Sequence, residues 1–137
     1  EGTYITKRFG RADFFASGGT CCKGLDSTYY TTVYMSDSLF GTYVDDKGQD
    51  AYGSIDGGRM VIEPISGAAK GTGHVSVIED DAGDFFLVYH AYDSLNNNGY
   101  RKLMIDKLIF DENGFPHVKN QTSSLGGQGE APYIIPR

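Results

Sequence analysis

Short apolar runs, each interrupted by turn residues, most constrain what this chain can fold into. No apolar spacing typical of a helix persists over three turns, which argues against long amphipathic helices. Glycine accounts for 19 of the 137 residues, about twice its usual share of ~7%. Many turns together with 10 tyrosines and 8 phenylalanines favour a chain built from strands. We therefore predict an all-β fold.

The short runs predict strands that follow one another as antiparallel hairpins or a meander. These strands are Tyr4–Lys7, Ala12–Ser17, Tyr29–Ser36, Arg59–Glu63, His74–Asp80, Asp84–Tyr92, Arg101–Phe110 and Phe115–Val118. We predict loops at Asp45–Gly58 and Gly67–Gly73, which are rich in glycine. A meander can form a sandwich, a barrel or propeller blades. Blades of ~40–50 residues leave room for two to three here.

Composition excludes several classes of partner. The 12 basic and 18 acidic residues give a net charge of −6, and there is no basic run. Phosphate backbones and anionic lipids attract basic surfaces, so we expect no nucleic acid and no membrane as partners. No apolar run approaches the ~20 residues that span a bilayer. No signal peptide is visible, which leaves secretion open because a processed chain would lack one.

Cysteine and histidine spacing leaves alternatives open. Cys21 and Cys22 are adjacent, which provides neither a disulfide framework nor zinc spacing. They are either small residues in a tight turn, one of them buried, or part of a shaped loop that lines a cavity. His74 follows a glycine-rich stretch at the start of a strand, where it is either structural or directed into a central channel. No spacing rule selects a catalytic pair among the carboxylates.

Several segments, in order along the chain, resemble the glycoside hydrolases of family 43, in particular endo-α-1,5-L-arabinanases. The segment from Cys21 to Tyr29 is similar to the signature C-C-x-G-x-x-S-T-Y and is the most specific match. The others resemble E-[AG]-P-Y-I, S-x-S-x-x-G-P-Y-x-D, G-P-G-H, H-A-Y-D and D-x-x-G-W-P, and they begin at Glu1, Ser36, Gly71, His90 and Asp111.

The resemblance implies a five-bladed β-propeller that cleaves arabinan with inversion, of which residues 1–118 would be two to three C-terminal blades. Glu1 falls on the general acid, and the signature implies substrate-binding roles for Cys21, Cys22, Ser27 and Tyr29. His74 falls on the histidine that helps hold a hydrated calcium ion in the central channel. Family members also imply an extracellular or periplasmic location.

Departures from the family pattern shape the remaining expectations. Tyr34-Met35 stands where Gly-Arg is usual, and the two catalytic aspartates belong to earlier blades that this sequence does not contain. We therefore expect further blades, from a second chain or from self-association, to complete the site. The alternative is a propeller fragment that binds carbohydrate without cleaving it. Residues 119–137 are expected to form an irregular tail, in which Glu130–Ile134 echoes Glu1–Ile5.

Overall fold

The computed structural model describes residues 1–96 and 99–137, and its regular structure there is almost entirely antiparallel strand. The first sheet has the order β1-β2-β3-β4 and the second has the order β5-β6-β7-β8-β9. The strands are β1 Tyr4–Arg8, β2 Arg11–Gly18, β3 Tyr30–Ser36, β4 Arg59–Ile62, β5 Ile65–Ser66, β6 Ala69–Glu79, β7 Phe85–Asp93, β8 Arg101–Phe110 and β9 Pro116–Val118. Gly24–Asp26 and Lys119–Gln121 form single 3-10 turns. The all-β prediction is confirmed, with two sheets at the lower end of the expected two to three blades.

Alternating side chains give each sheet one face toward the other sheet and one face away from it. In the first sheet, Phe15 pairs with Val33, and both are fully buried against the second sheet. Their neighbours Phe14 and Tyr34 also pair, and they point to the opposite face because successive residues of a strand alternate. We call the face that carries Ile5, Phe14 and Tyr34 the outer face of the first sheet.

The second sheet completes the core with the inward-facing residues of its long strands. Leu87 and Tyr89 on β7 are buried in the same cluster as Phe15, together with Val75 on β6 and Leu108 on β8. Burying aliphatic and aromatic side chains of this size contributes ~1.5–3 kcal/mol each. Within the described residues, no helix is long and apolar enough to cross a membrane.

The predicted loop at Gly67–Gly73 is wrong, because a hairpin between β5 and β6 occupies most of it and β6 begins at Ala69. The pairing of β6 with β7 shifts register between Lys70 and Gly73, and again between Gly73 and Ser76. Glycine is tolerated in a strand at such bulges, and Gly71 has a φ of +64°. The glycines therefore mark irregularities inside a strand rather than a loop between strands.

After Val118 the chain makes one 3-10 turn, and residues 122–137 contain no helix or strand. This segment is nevertheless attached to the second sheet. The Tyr133 amide donates to Asp80 Oδ2 at 2.8 Å, and Lys107 Nζ lies 2.9 Å from Glu130 Oε2. The echo segment Glu130–Ile134 thus lies beside β8 and the β6–β7 turn.

Candidate functional site

Glu1 is held beside the end of β2 by two backbone hydrogen bonds. Its backbone nitrogen donates to the Ser17 carbonyl at 3.0 Å, and its carbonyl accepts from the Ser17 amide at 2.8 Å. Glu1 is exposed and borders a cavity of about 200 Å³ that is also lined by Tyr30 and Tyr34. Glu1 therefore lies at the border of a space that two tyrosines help to line.

The residue after Glu1 brings it against both sheets. Gly2 has a φ of +56°, and a Cβ there would lie 3.0 Å from Tyr29 Oη and 3.1 Å from His74 Cα. Glycine is required at this position because the conformation is left-handed and no room remains for a side chain. Consequently the Gly2 backbone, next to Glu1, rests directly on Tyr29 and His74.

His74 is exposed at the irregular part of β6, where its φ is 55°. Its amide donates to Ser17 Oγ at 2.9 Å, which links the second sheet to the strand that holds Glu1. Residues other than glycine adopt this conformation only where the surroundings fix it. No group of three or more His, Cys, Asp or Glu side chains in the described ranges is placed to hold a metal.

Tyr29 and His90 form a stack beneath Glu1 and His74. Their rings are 5.7 Å apart and inclined by 16°, and the His90 ring is 6.3 Å from that of His74. Burial raises the pKa of Tyr29, partly opposed by the nearby Ser17 hydroxyl. Burial lowers the pKa of His90, helped by Arg101 and His74. Among the described residues, neither the Tyr29 hydroxyl nor His90 Nδ1 has a hydrogen-bond partner.

Cys21 and Cys22 are joined to each other by a disulfide. The expectation that one of them is buried is wrong, because Cys21 is partly exposed and Cys22 is exposed. Adjacent cysteines usually lie too close along the chain for a disulfide, which is why the spacing gave no signal for this bond. Arg101 Nη1, at the start of β8, lies 3.5 Å from Cys22 Sγ. The disulfide therefore contacts the second sheet.

Two further predicted residues lie below the surface. Ser27 is buried, and its hydroxyl accepts a hydrogen bond from the Lys23 amide at 3.0 Å. It packs closely on Gly71, where an added Cβ would lie 2.6 Å from the Cβ of Ser27. Tyr29 is also buried. Both positions suit residues that support the wall of a site, and direct contact of Cys21, Cys22, Ser27 and Tyr29 with a substrate stays a prediction.

The structure brings Glu1, Tyr29 and His74 into one contact network and adds residues that the sequence analysis missed. These are Ser17, His90 and Arg101. His90 was visible as a histidine in an aromatic strand, but its partner Tyr29 is 61 residues away along the chain, by 90 − 29. No local pattern reports such a contact.

Two antiparallel sheets that pack on each other are typical of neighbouring blades in a β-propeller. An exposed carboxyl group near aromatic residues is typical of the site of a glycoside hydrolase. Residues 1–116 match the model of the Glycosyl hydrolases family 43, and the chain belongs to that family.

The relatives agree in both sequence and structure. The chain is 36% identical over 118 residues to an extracellular exo-α-(1→5)-L-arabinofuranosidase of Cellvibrio japonicus, covering 86% of this chain and 33% of the relative. It is 31% identical over 116 residues to an extracellular endo-α-(1→5)-L-arabinanase of Bacillus subtilis, covering 85% of this chain and 33% of that relative. The structure of Cellvibrio cellulosa α-L-arabinanase complexed with arabinohexaose matches with a TM-score of 0.79 and 34% identity, covering 93% of this chain and 39% of that one. The chain thus spans about a third of the curated relatives' length.

Proposed function

We propose that this chain supplies the general-acid part of an arabinan-cleaving glycoside hydrolase that works with inversion. The observation that carries the proposal is Glu1, an exposed residue at the border of a cavity that Tyr30 and Tyr34 help to line. Backbone hydrogen bonds to Ser17 hold Glu1 in place, and the backbone of the following Gly2 packs on His74. In this role Glu1 gives a proton to the glycosidic oxygen as the bond to the sugar breaks. A water molecule attacks the opposite face of the sugar and loses its proton to a second carboxylate.

The second carboxylate and the rest of the substrate cleft would come from further propeller blades. Inverting enzymes keep their two carboxyl groups ~6.5–9.5 Å apart to leave space for the water. Arabinan is the substrate class that the names of the relatives support. Both relatives are named extracellular, and we propose an extracellular or periplasmic location for this protein as well.

Substituting Glu1 tests the proposal. In an assembly of this chain with the complementary blades of the Cellvibrio japonicus relative, Glu1→Gln should abolish cleavage of linear arabinan and leave arabinan binding within about threefold. Removing a proton donor of this kind costs on the order of 10²–10⁴-fold in rate. The matched control is Glu130→Gln, which changes the same residue type in the echo segment and should leave turnover unchanged. Full activity of Glu1→Gln would assign the acid elsewhere.

A carbohydrate-binding role without cleavage is the alternative, favoured by Tyr34-Met35 in place of the family's Gly-Arg. Arginine is a planar, permanently charged donor that neither residue replaces. An assembly that binds arabinan but never releases reducing sugar, with wild-type Glu1 in place, would select this alternative.

We also propose that His74 helps hold a calcium ion, mainly through water. Its exposed side chain at a fixed backbone position supports this, and Ca²⁺ prefers oxygen ligands, which water supplies. A bound ion stabilises the folded state by mass action, by ~2.7 kcal/mol when calcium is at 100 times its Kd. Calcium should therefore raise the Tm of the wild type and not that of His74→Ala, and His117→Ala serves as control. Equal calcium-induced shifts in wild type and His74→Ala would remove His74 from the site.

A further inference from the structure

We infer that His90 is a positioning residue for the acid segment Glu1–Gly2 and acts on it through Tyr29. This inference rests on the proposed role of Glu1. His90 lies on β7, whereas Glu1 precedes β1 of the other sheet, so the effect has to cross the contact between the sheets.

The first step is the contact between His90 and Tyr29. The two rings are nearly parallel, at 16°, with centroids 5.7 Å apart. The Tyr29 ring also fills the space above Gly73, where a Cβ would lie 2.6 Å from Tyr29 Cε1 and 3.1 Å from Tyr29 Cγ. Tyr29 is 1% exposed, so its ring has little freedom to move while His90 is in place.

The second step leads from Tyr29 to the acid. The Tyr29 hydroxyl meets the Gly2 backbone so closely that a Cβ on Gly2 would be 3.0 Å from it. The packing of the ring on Gly73 and Gly2 holds it at this distance, with the Ser17 hydroxyl beside its own hydroxyl. A displaced Tyr29 ring therefore displaces Gly2 and, with it, the Glu1 carboxyl.

A second series of contacts also connects His90 with Glu1. The His90 ring lies 6.3 Å from the His74 ring, and the His74 amide donates to Ser17 Oγ at 2.9 Å. Ser17 in turn makes both backbone hydrogen bonds to Glu1. The contacts therefore form a closed ring. It runs from His90 through Tyr29 and Gly2 to Glu1, and from Glu1 through Ser17 and His74 back to His90.

The part of His90 that makes these contacts is the face of its ring. Its Nδ1 is buried and has no partner among the described residues. A phenyl ring stacks on tyrosine as an imidazole does. His90→Phe should therefore preserve the position of Glu1, whereas His90→Ala should lose it.

The first test needs no activity. In amide NMR spectra of the chain, His90→Ala should shift the Gly2 and His74 resonances, while His90→Phe should shift them far less, after allowance for the ring current. His117→Ala is the matched control, since His117 lies on β9, bonds to the Val118 carbonyl and is not part of this closed ring of contacts. Unmoved Gly2 and His74 resonances in His90→Ala would overturn the inference.

The second test separates positioning from stability and from direct catalysis. A misplacement of ~1 Å costs on the order of 100-fold in rate, so His90→Ala in the arabinan-cleaving assembly should lower kcat by about that factor with KM nearly unchanged. His90→Phe should restore kcat to within about threefold, with a Tm no lower than wild type. A His90→Phe variant as slow as His90→Ala would mean that the ring nitrogens act directly, against this inference. Activity in Glu1→Gln would instead refute the proposed function on which it rests.

Discussion

Arg8 and Asp13 face each other in the contact between the two sheets, and both are almost completely buried. Arg8 Nε lies 2.9 Å from Asp13 Oδ2, Arg8 Nη2 donates to the Gly114 carbonyl at 2.8 Å, and the guanidinium lies 4.1 Å from the centre of the Phe110 ring. Burial raises the pKa of Asp13, and the hydrogen bond from Arg8 opposes that rise. The sequence did not predict this pair, because charged residues on short strands ordinarily face water and only the packing of two sheets buries them.

Removing one partner of this pair should be costly. Asp13→Ala leaves the Arg8 guanidinium buried without its carboxylate, and we expect the free energy of unfolding to fall by ~3–5 kcal/mol. Urea unfolding measures the change. The control is Asp37→Ala, which breaks the exposed pair with Arg11 at 3.8 Å and should cost ~1 kcal/mol or less. Equal losses for the two variants would contradict a special role for the buried pair.

At the scale of elements, the hairpin of β6 and β7 shows what the sequence could and could not predict. The short apolar runs predicted the strands His74–Asp80 and Asp84–Tyr92 and their antiparallel succession, and the two strands do pair. The start of β6 was missed because the bulges at Gly73 break the alternation on which strand prediction depends. The functional site at the irregular part of β6 was not predicted from the apolar pattern for the same reason. Only the family resemblance pointed to His74.

The turn of this hairpin also anchors the C-terminal segment through one carboxylate. Asp80 accepts hydrogen bonds from the amides of Tyr133, Ala82 and Asp84 at 2.8–2.9 Å. These bonds, the one from Tyr133 foremost, lower the pKa of Asp80 below its ordinary value of 3.8. Asp81 adds a bond from the Ile135 amide at 2.8 Å. The segment is thus irregular in shape but fixed in place.

The pH dependence of this anchor follows from the lowered pKa. A carboxyl group whose pKa is lower in the folded state contributes stability above its unfolded pKa and loses it as pH falls through the folded value. Hydrogen-exchange protection of the Tyr133 amide, corrected for intrinsic rates, should therefore be constant above about pH 5 and fall below Asp80's ordinary pKa of 3.8. Asp80→Asn should show weaker protection without this pH dependence. Loss of protection between pH 5 and 7 in the wild type would contradict the assignment.

For the whole molecule, the main feature is the outer face of the first sheet, an apolar face that the chain itself covers only in part. The outer face of the first sheet carries Ile5, which is 45% exposed, and it borders a cavity of about 480 Å³ lined by Phe14, Tyr43 and Tyr52 among others. Large contiguous apolar patches on a protein surface mark sites of interaction. The sequence analysis expected further blades to complete the site, but which residues would face them depended on the register of β1, β2 and β3.

We expect the outer face to bind the sheet of a neighbouring propeller blade, because this chain spans about a third of its relatives' length. The test mixes the chain with the complementary two thirds of the Cellvibrio japonicus relative and measures complex formation by sedimentation. Ile5→Lys places a charge on this face and removes an aliphatic contact of ~1.5–3 kcal/mol. It should weaken the complex by about tenfold or more without lowering the Tm of the isolated chain.

Leu39→Lys is the matched control, since the exposed fraction of Leu39, 49%, is similar to the 45% of Ile5. Leu39 lies beyond the end of β3 and is not among the residues that line the cavity. It should leave the affinity within about threefold of wild type. A self-associating chain whose oligomer is weakened by Ile5→Lys would mean that a second copy occupies the face instead of a different blade. Equal affinities of wild type and Ile5→Lys for the complementary fragment would show that the outer face is not where the next blade packs.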